Sequence, residues 1–222
     1  MRKEDILYSA TAGRYAIDYG IKTLRPNNRL IRNLKRLHAP SFYGFRPWPS
    51  SWLLMDFIRH KGLKKGSRVL EAGCGWGLTG IYCAMNHGSI VTGFDIDSEV
   101  FPYLSKHAEI NGVNIVTIKK DFKDITHDQL KDFDILIGTD ICFWDNMVDS
   151  LKQLMLRALK SGVQMILIAD PGRSPFEELG RYFSERGIGT VRDWNVINPY
   201  PIRGRILSIV TSFNQQKIFL GC

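Results

Sequence analysis

The 222-residue sequence lacks the marks of several protein classes. It has only four cysteines, and none are spaced as Cys-x-x-Cys, so a disulfide-stapled secreted scaffold is not indicated. Its five histidines lie far apart and show no metal-ligand spacing, so we expect no metal site. No apolar run approaches the roughly 20 residues that a membrane-spanning helix needs. Internal repeats and low-complexity segments are also missing from the sequence.

The first residues carry early acidic side chains and no apolar stretch, which disfavours a secretory signal or a transit peptide. Together with the scarcity of cysteine, this predicts a cytoplasmic protein. The composition, with 44% hydrophobic and 23% charged residues, is that of an ordinary globular protein. The length is sufficient for one α/β domain with a hydrophobic core.

Basic residues are concentrated near the beginning of the chain. Residues 1–46 have a net charge of +7, whereas the whole chain has +8. Apolar residues recur at helical spacing within this segment, at Leu30, Ile31, Leu34 and Leu37. We therefore expect residues 1–46 to form a basic helical N-terminal extension, in which Pro26 starts a helix and Pro40 stops it. Such a surface can bind acidic protein, nucleic acid or anionic lipid, or it can be a solvated helix face.

From residue 68 onward the sequence alternates between short apolar strands and helices. The predicted strands span 68–72, 90–95, 114–118, 133–139 and 163–169. The predicted helices span 77–87, 98–111, 146–160 and 175–186. A further helix follows Pro49, with Ser50 or Ser51 as its N-cap, and ends at Gly62. This order indicates a parallel sheet with helices on both faces.

The last two predicted strands, 190–194 and 205–213, are separated by residues 195–204 alone. A parallel crossover needs a dozen or more residues, so this pair is predicted to be antiparallel. The predicted fold class is therefore α/β, with a Rossmann-like, seven-stranded, mostly parallel sheet that ends in an antiparallel hairpin. We assign this fold to a domain over residues 47–222.

A glycine-rich loop at residues 73–77 follows the strand 68–72 and precedes a helix. Glycines at such a position allow a sharp turn and let a ligand approach the backbone. The run from Gly75 to Gly80 also matches the G-x-G-x-x-G pattern of dinucleotide sites.

Two residues near this loop disfavour a dinucleotide. Glu71, at the end of the strand, repels a pyrophosphate but suits a cofactor that carries an ammonium and a sulfonium group. Trp76 is bulky for a loop that must contact phosphates. The loop therefore favours S-adenosyl-L-methionine as the cofactor.

Carboxylates and apolar side chains follow the next two strands. Asp95 lies 24 residues after Glu71 and can accept hydrogen bonds from ribose hydroxyls, with Ile96 against the adenine. Asp121 can accept from the adenine amino group and Phe122 can pack on the ring, although they can also be a turn residue and a core residue. The predicted cofactor-binding residues are Trp48, Glu71, Gly73, Cys74, Gly75, Asp95, Ile96, Asp121, Phe122 and Thr139.

The strand 133–139 ends at the position that faces the reacting methyl group in this fold. Asp140 is predicted to orient an amine, and Phe143 and Trp144 are predicted to line a narrow channel, so these three form the candidate catalytic set. No proline follows Asp140, which disfavours chemistry on the amino group of adenine. Asp140 can instead be the N-cap of the following helix.

Three features occur in the same order in the seven-strand protein-lysine methyltransferases, which this chain resembles. They are the Trp-Pro-Ser run at 48–50, the loop at 71–77 and Asp140. Within that family the chain is similar to the group that methylates the electron-transfer flavoprotein β subunit. Residues 140–151 and 168–176, which include an Asp-Pro-Gly-Arg run, carry this similarity. The resemblance covers roughly residues 45–176.

The resemblance implies S-adenosyl-L-methionine as the cofactor and the ε-amine of a protein lysine as the acceptor, for example in the electron-transfer flavoprotein β subunit. It also implies that Trp48 covers the cofactor, although Trp48 can equally be a core residue. The family has a tyrosine where this chain has Phe143, so the ring is kept and the hydroxyl is lost. Trp144 and Asp145 are candidates to replace that hydroxyl.

Two other functions fit parts of the sequence. One is a methyltransferase for a small-molecule amine on the same fold. The other is an RNA-binding module or RNA methyltransferase that uses the basic extension, which the absence of an RNP-type strand motif disfavours. The sequence makes no prediction of the oligomeric state.

Overall fold

The structure is a computed structural model that describes residues 15–41 and 43–211. Its strands are β1 (Tyr15–Asp18), β2 (Ile21–Leu24), β3 (Arg68–Ala72), β4 (Ile90–Asp95), β5 (Ile115–Lys119), β6 (Ile135–Thr139), β7 (Met165–Asp170), β8 (Thr190–Val196) and β9 (Ile202–Val210). Its helices are α1 (Arg29–Leu37), α2 (Ser50–Lys61), α3 (Leu78–His87), α4 (Phe101–Asn111), α5 (His127–Leu130), α6 (Asp145–Lys160) and α7 (Ser174–Glu185). Short 3-10 turns span Ser98–Val100 and Phe122–Asp124.

Seven strands form one sheet in the order β5-β4-β3-β6-β7-β9-β8. Strands β3 to β7 are parallel, and β9 is antiparallel to both β7 and β8. The predicted mostly parallel sheet with an antiparallel C-terminal hairpin is confirmed. The chain runs outward from β3 to β5 and then returns to the other side of β3 at β6. The carboxyl ends of β3 and β6 therefore mark the topological switch point, where ligands bind in open α/β sheets.

Helices cover both faces of this sheet. One core cluster contains buried residues of α2, α3 and α4, and the other contains buried residues of α6 and α7. Strand β7 is buried along its whole length because both faces are covered. The described cysteines, Cys74, Cys83 and Cys142, are free and buried. Among the described residues, no helix is long and apolar enough to cross a membrane.

The N-terminal segment differs from the prediction. Helix α1 is present, but Asn28 and not Pro26 caps its start. It ends at Leu37 with His38 as its C-cap, directly before the Ala39-Pro40 pair that was predicted to stop it. Residues 15–24 form an antiparallel hairpin, β1–β2, that was not predicted. The part of the predicted extension before residue 15 lies outside the described residues, as does the end of the predicted strand 205–213. The division into residues 1–46 and 47–222 stays a prediction.

The start of α2 also corrects an expectation. Ser50 and Ser51 are the first two residues of the helix, and Pro49 holds the N-cap position without a side-chain capping bond. The amide of Ser50 instead donates to the carboxylate of Asp140, at 3.0 Å. A group 90 residues away in the sequence therefore satisfies this helix end.

Candidate active site

A cavity of about 350 Å³ lies at the carboxyl edge of the sheet. Its volume is within the range of sites that bind small molecules, roughly 300–1,000 Å³. Twelve of the thirteen predicted site residues line it. They are Trp48, Gly73, Cys74, Gly75, Asp95, Ile96, Asp121, Phe122, Thr139, Asp140, Phe143 and Trp144. The structure therefore brings the two predicted groups of residues, cofactor-binding and catalytic, together around one space.

The glycine loop forms one wall of the cavity. Gly73, Gly75 and Gly77 have φ values of 58°, 49° and 69°, a region that favours glycine. A Cβ atom on Gly73 would lie 2.5 Å from Ile141, and one on Gly77 would lie 2.6 Å from Leu104. A Cβ atom on Gly75 would meet nothing within 4 Å. Gly75 is thus the glycine that leaves open space for a ligand.

Asp95 joins the end of β4 to this loop. Its Oδ2 accepts from the amide of Gly75 at 3.1 Å, and its Oδ1 accepts from the amide of Asp97 at 3.0 Å. A carboxylate has about four acceptor positions, so acceptor capacity remains for a ligand. Burial raises the pKa of Asp95, while these backbone bonds lower it. Beside it, Ile96 is half-exposed and presents an apolar surface to the cavity.

Asp121 and Phe122 close the same end. The side chain of Asp121 makes no helix-capping bond, although the residue precedes a 3-10 turn, and it lies 3.7 Å from the ammonium of Lys123. Phe122 contacts Phe94 edge-on, with ring centroids 6.0 Å apart, and packs against the second core cluster. Phe122 is therefore a partly buried core residue that also lines the cavity.

Glu71 is the predicted site residue that does not line the cavity. It lies behind the loop, 3% exposed, and the amide of Gly80 in α3 donates to it. Its Oε2 has no hydrogen-bond partner within the part of the chain that the structure describes. Burial raises the pKa of Glu71 to about 8, so the carboxyl is largely protonated at neutral pH. In this structure Glu71 supports the loop and presents no charge to the cavity.

Asp140 lies at the opposite end, directly after β6. It is 4% exposed and has a φ of 54°, which is strained for a residue other than glycine. Its Oδ2 accepts from the amide of Ser50, and its Oδ1 lies 2.8 Å from Nη1 of Arg173. Asp140 does not cap α6, because that helix starts after Trp144 without a capping bond from a side chain. Its carboxylate instead joins α2 to the segment after β7.

Arg173 was not predicted as a site residue. Its Nη1 lies between two buried carboxylates, 2.8 Å from Asp140 and 2.7 Å from Asp170. Asp170 also accepts from the amides of Gly172 and Arg173, which fixes this turn. The guanidinium lies 4.2 Å from the ring centroid of Phe143. The Asp-Pro-Gly-Arg run at residues 170–173 is the sequence signal for this residue. The run supports the family resemblance but does not predict a role for Arg173.

Four rings form an aromatic cluster around Asp140: Tyr43, Trp48, Phe143 and Trp144. Tyr43 stacks on Phe143 with centroids 5.2 Å apart, and Trp48 contacts both of these rings edge-on. Trp144 completes the cluster, 6.0 Å from Tyr43. Among the described lining residues, Tyr43 alone carries a phenolic hydroxyl. Sequence analysis did not identify Tyr43, because it lies in the segment assigned to the extension.

The segment that carries Tyr43 is fastened to the body of the protein. Ser41 donates its amide and its hydroxyl to Asp97, at 2.5 and 2.9 Å. The indole of Trp76, in the glycine loop, donates to the carbonyl of Gly44 at 2.9 Å. The indole of Trp48 donates to the carbonyl of Tyr43, also at 2.9 Å. These bonds make residues 43–48 a fixed wall of the cavity.

Comparison with known proteins agrees with this geometry. A family model described as a methyltransferase domain matches residues 69–162, from β3 to the end of α6. Residues 69–162 therefore match a methyltransferase domain of class I. That family uses S-adenosyl-L-methionine, and the open space at Gly75 beside the acceptor atoms of Asp95 fits such a cofactor.

Two curated relatives of this methyltransferase are named as protein methyltransferases. It is 34% identical to the histidine protein methyltransferase 1 homolog of Dictyostelium discoideum over 68% of this chain and 52% of that one. It is 27% identical to the electron transfer flavoprotein beta subunit lysine methyltransferase of Mus musculus over 58% of this chain and 50% of that one. The chain thus spans about half the length of the curated relatives it matches.

A solved structure of a METTL16 methyltransferase domain shares the fold of this methyltransferase. It superposes with a TM-score of 0.58 at 14% identity, over 75% of this chain and 84% of that one. At this identity the likeness concerns the fold alone.

Proposed function

We propose that this methyltransferase transfers a methyl group from S-adenosyl-L-methionine to a nitrogen atom of a protein side chain, and that the acceptor is a lysine ε-amine. The observation that carries the proposal is the cavity itself, which joins the glycine loop to a buried acidic group inside an aromatic cluster. Two relatives named as protein methyltransferases support a protein acceptor. We place the reaction in the cytoplasm.

The cofactor end is proposed to hold the adenosine. The free acceptor positions of Asp95 receive the ribose hydroxyls, and Asp121 receives the adenine amino group. Ile96 and Phe122 pack on the adenine ring from the cavity wall. Because Gly75 has no side chain, the rest of the cofactor can lie close to the backbone of the loop. The bound cofactor supplies an activated methyl group on its sulfonium.

The acceptor end is proposed to position the nitrogen. The aromatic cluster excludes water and narrows the approach, which favours in-line orientation of the acceptor. Asp140 orients the amine, and Arg173 holds the Asp140 carboxylate in place. A lysine amine, with an ordinary pKa of about 10.4, must lose a proton before it attacks. The cationic sulfonium of a bound cofactor would lower the pKa of an amine beside it, whereas Asp140 raises that pKa, so Asp140 is assigned to orientation and not to base catalysis.

Histidine is the second candidate acceptor. It is favoured by the relative at 34% identity, which is named as a histidine protein methyltransferase. An imidazole has an ordinary pKa of about 6.5, so it is largely neutral at pH 7 and needs no prior deprotonation. The same ring cluster and Asp140 can orient its nitrogen.

The proposal is tested with the full chain, labelled S-adenosyl-L-methionine and a cell lysate. We expect label in discrete proteins, and acid hydrolysis of those proteins to release methyllysine. Release of methylhistidine assigns the second acceptor. Label confined to small molecules or to RNA contradicts a protein substrate. Purified electron-transfer flavoprotein β subunit is the first single protein to test, since relatives are named for it.

A further inference from the structure

Residues 25–46, which we call the cationic segment, contain six Lys or Arg residues and no Asp or Glu. Five of the six lie on or just before α1 and are exposed: Arg25, Arg29, Arg32, Lys35 and Arg36. The sixth, Arg46, lines the cavity and lies 4.2 Å over the ring of Trp48. The cationic segment therefore carries most of its charge on α1 and reaches the lining of the cavity at Arg46.

These cations are not neutralised by carboxylates within residues 15–41 and 43–211. The structure pairs none of the six with an Asp or Glu of that part of the chain, and Arg36 bonds only to the amide oxygen of Asn33. Other surface cations are paired, as Arg68 is with Asp134 and Lys131 with Asp128. Among the described residues these cations are thus free of ion pairs, and such a concentration of positive charge attracts acidic partners.

The cationic segment is held in a fixed place on the body. Ile31 of α1 is fully buried in the first core cluster. The hydroxyl of Tyr103 donates to the carbonyl of His38 at 2.9 Å, and the His38 ring lies 3.1 Å from Glu99. With the bonds of Ser41 to Asp97, these contacts fix the direction in which the segment runs toward the cavity.

We propose that the cationic segment is the docking surface for an acidic stretch of the protein substrate that flanks the methylated residue. This inference rests on the proposed function. A protein is favoured over nucleic acid because Leu30 and Leu37 are exposed among the cations, 44% and 75%, and suit apolar side chains of a peptide. Helix α1, which carries four of the six cations, also contains no Phe, Tyr or Trp, the side chains on which single-stranded bases stack. The aromatic residues of the segment, among them Tyr43 and Phe45, lie after this helix.

The test compares two charge-reversed variants of the full chain. The docking variant is Arg29→Glu with Arg32→Glu, both exposed in the first half of α1, where a negative side chain is compatible with the helix dipole. The control variant is Lys64→Glu with Lys65→Glu, exposed residues before β3 at the opposite edge of the sheet. Both carry the same change in net charge. Thermal melts and S-adenosyl-L-methionine binding are expected to be alike in the two variants.

The readouts are direct binding and transfer. For binding, a fluorescein-labelled deca-glutamate peptide and a fluorescein-labelled poly(U) oligonucleotide are titrated into each protein. For transfer, the initial rate at which labelled methyl groups enter lysate proteins is measured. Both measurements are made at about 0.05 M and about 0.5 M salt. We expect the docking variant to bind the peptide and to methylate proteins about tenfold more weakly at low salt, while the control stays close to wild type. Raising the salt is expected to remove this difference.

Four outcomes overturn the inference. Equal loss in both variants assigns the effect to net charge, and no loss in the docking variant removes the docking role. Segment-dependent binding of poly(U) in preference to the peptide assigns the surface to nucleic acid. If the wild type binds S-adenosyl-L-methionine but labels no protein, the proposed function fails first, and the docking inference fails with it.

Discussion

The two ends of the cavity are assembled in different ways. The cofactor end is built by the continuous unit from β3 to α3, with Asp95 and Asp121 at the ends of the next two strands. The acceptor end joins parts that are far apart in the sequence, which include Tyr43, Asp140 and Arg173. Sequence patterns are local, so they identify the first end more completely than the second. The contrast also implies that mutation can separate cofactor binding from methyl transfer.

The largest expected effect is at the acceptor end. In Asp140→Asn the side-chain oxygen can still accept from Ser50, but the charge that orients the acceptor and pairs with Arg173 is lost. We expect transfer to fall at least about 100-fold, as for loss of a preorganised electrostatic contact, with little change in cofactor affinity. Rates of label transfer and calorimetric titration with S-adenosyl-L-methionine measure the two quantities.

The matched control is Asp149→Asn, an exposed residue of α6 that pairs with Lys152. It should keep full transfer. An Asp140→Asn protein that transfers methyl groups at the wild-type rate contradicts the role of Asp140.

Removing Arg173 tests what holds the acceptor end together. In Arg173→Ala, the buried carboxylates of Asp140 and Asp170 lose their counter-charge. We expect the free energy of unfolding to fall by about 3 kcal/mol, the low end for breaking a buried pair, because the Arg173 side chain is 23% exposed. Urea denaturation measures it, with Arg181→Ala on the exposed side of α7 as the control. A loss no larger than that of the control contradicts the bridging role.

Glu71 is assigned as a neutral support of the glycine loop that does not line the cavity. Burial raises the pKa of Glu71 to about 8 in the folded protein, whereas the ordinary pKa of Glu is near 4.5. Between these two pH values the folded state holds a proton that the unfolded state has released. Stability from this group is therefore present at low pH and is lost as the pH rises toward 8. We expect the free energy of unfolding to decline by about 2 kcal/mol between pH 5 and pH 7 because of this group.

Thermal and urea unfolding of Glu71→Gln should lack most of this decline, whereas the exposed Glu185→Gln should retain it. If Glu71→Gln and wild type show the same pH dependence, Glu71 is charged in the folded protein, and its assignment as a neutral support is wrong.

Gly75 tests the cofactor end against a matched glycine. Gly75 and Gly88 both have positive φ values, 49° and 62°, and a Cβ atom on either meets nothing within 4 Å. Alanine at either position should cost about 1–2 kcal/mol of backbone strain. Gly75→Ala should also weaken S-adenosyl-L-methionine binding about tenfold, about 1.4 kcal/mol, because its methyl group enters the ligand space. Equal cofactor affinity in the two variants contradicts the placement of the cofactor at Gly75.

The errors of sequence reasoning have a common physical origin. Strands with short apolar runs and a glycine loop between them are local patterns, so β3 to β7 and most of the lining were predictable. The hairpin β1–β2 is not predicted because each strand has only four residues and lies in a segment assigned to a helical extension. The local sequence predicts Ser50 or Ser51 as a helix cap because nothing local shows that Asp140 satisfies that helix end. Arg173 and Tyr43 reach the site only through tertiary packing.

The separation of the two ends is tested most directly by measuring S-adenosyl-L-methionine affinity and methyl transfer to lysate proteins on Gly75→Ala and Asp140→Asn side by side. The geometry predicts that Gly75→Ala loses affinity, and that Asp140→Asn keeps affinity and loses transfer at saturating cofactor. If Asp140→Asn loses affinity as strongly as Gly75→Ala, or if neither variant changes either quantity, the division of the cavity into a cofactor end and an acceptor end is wrong.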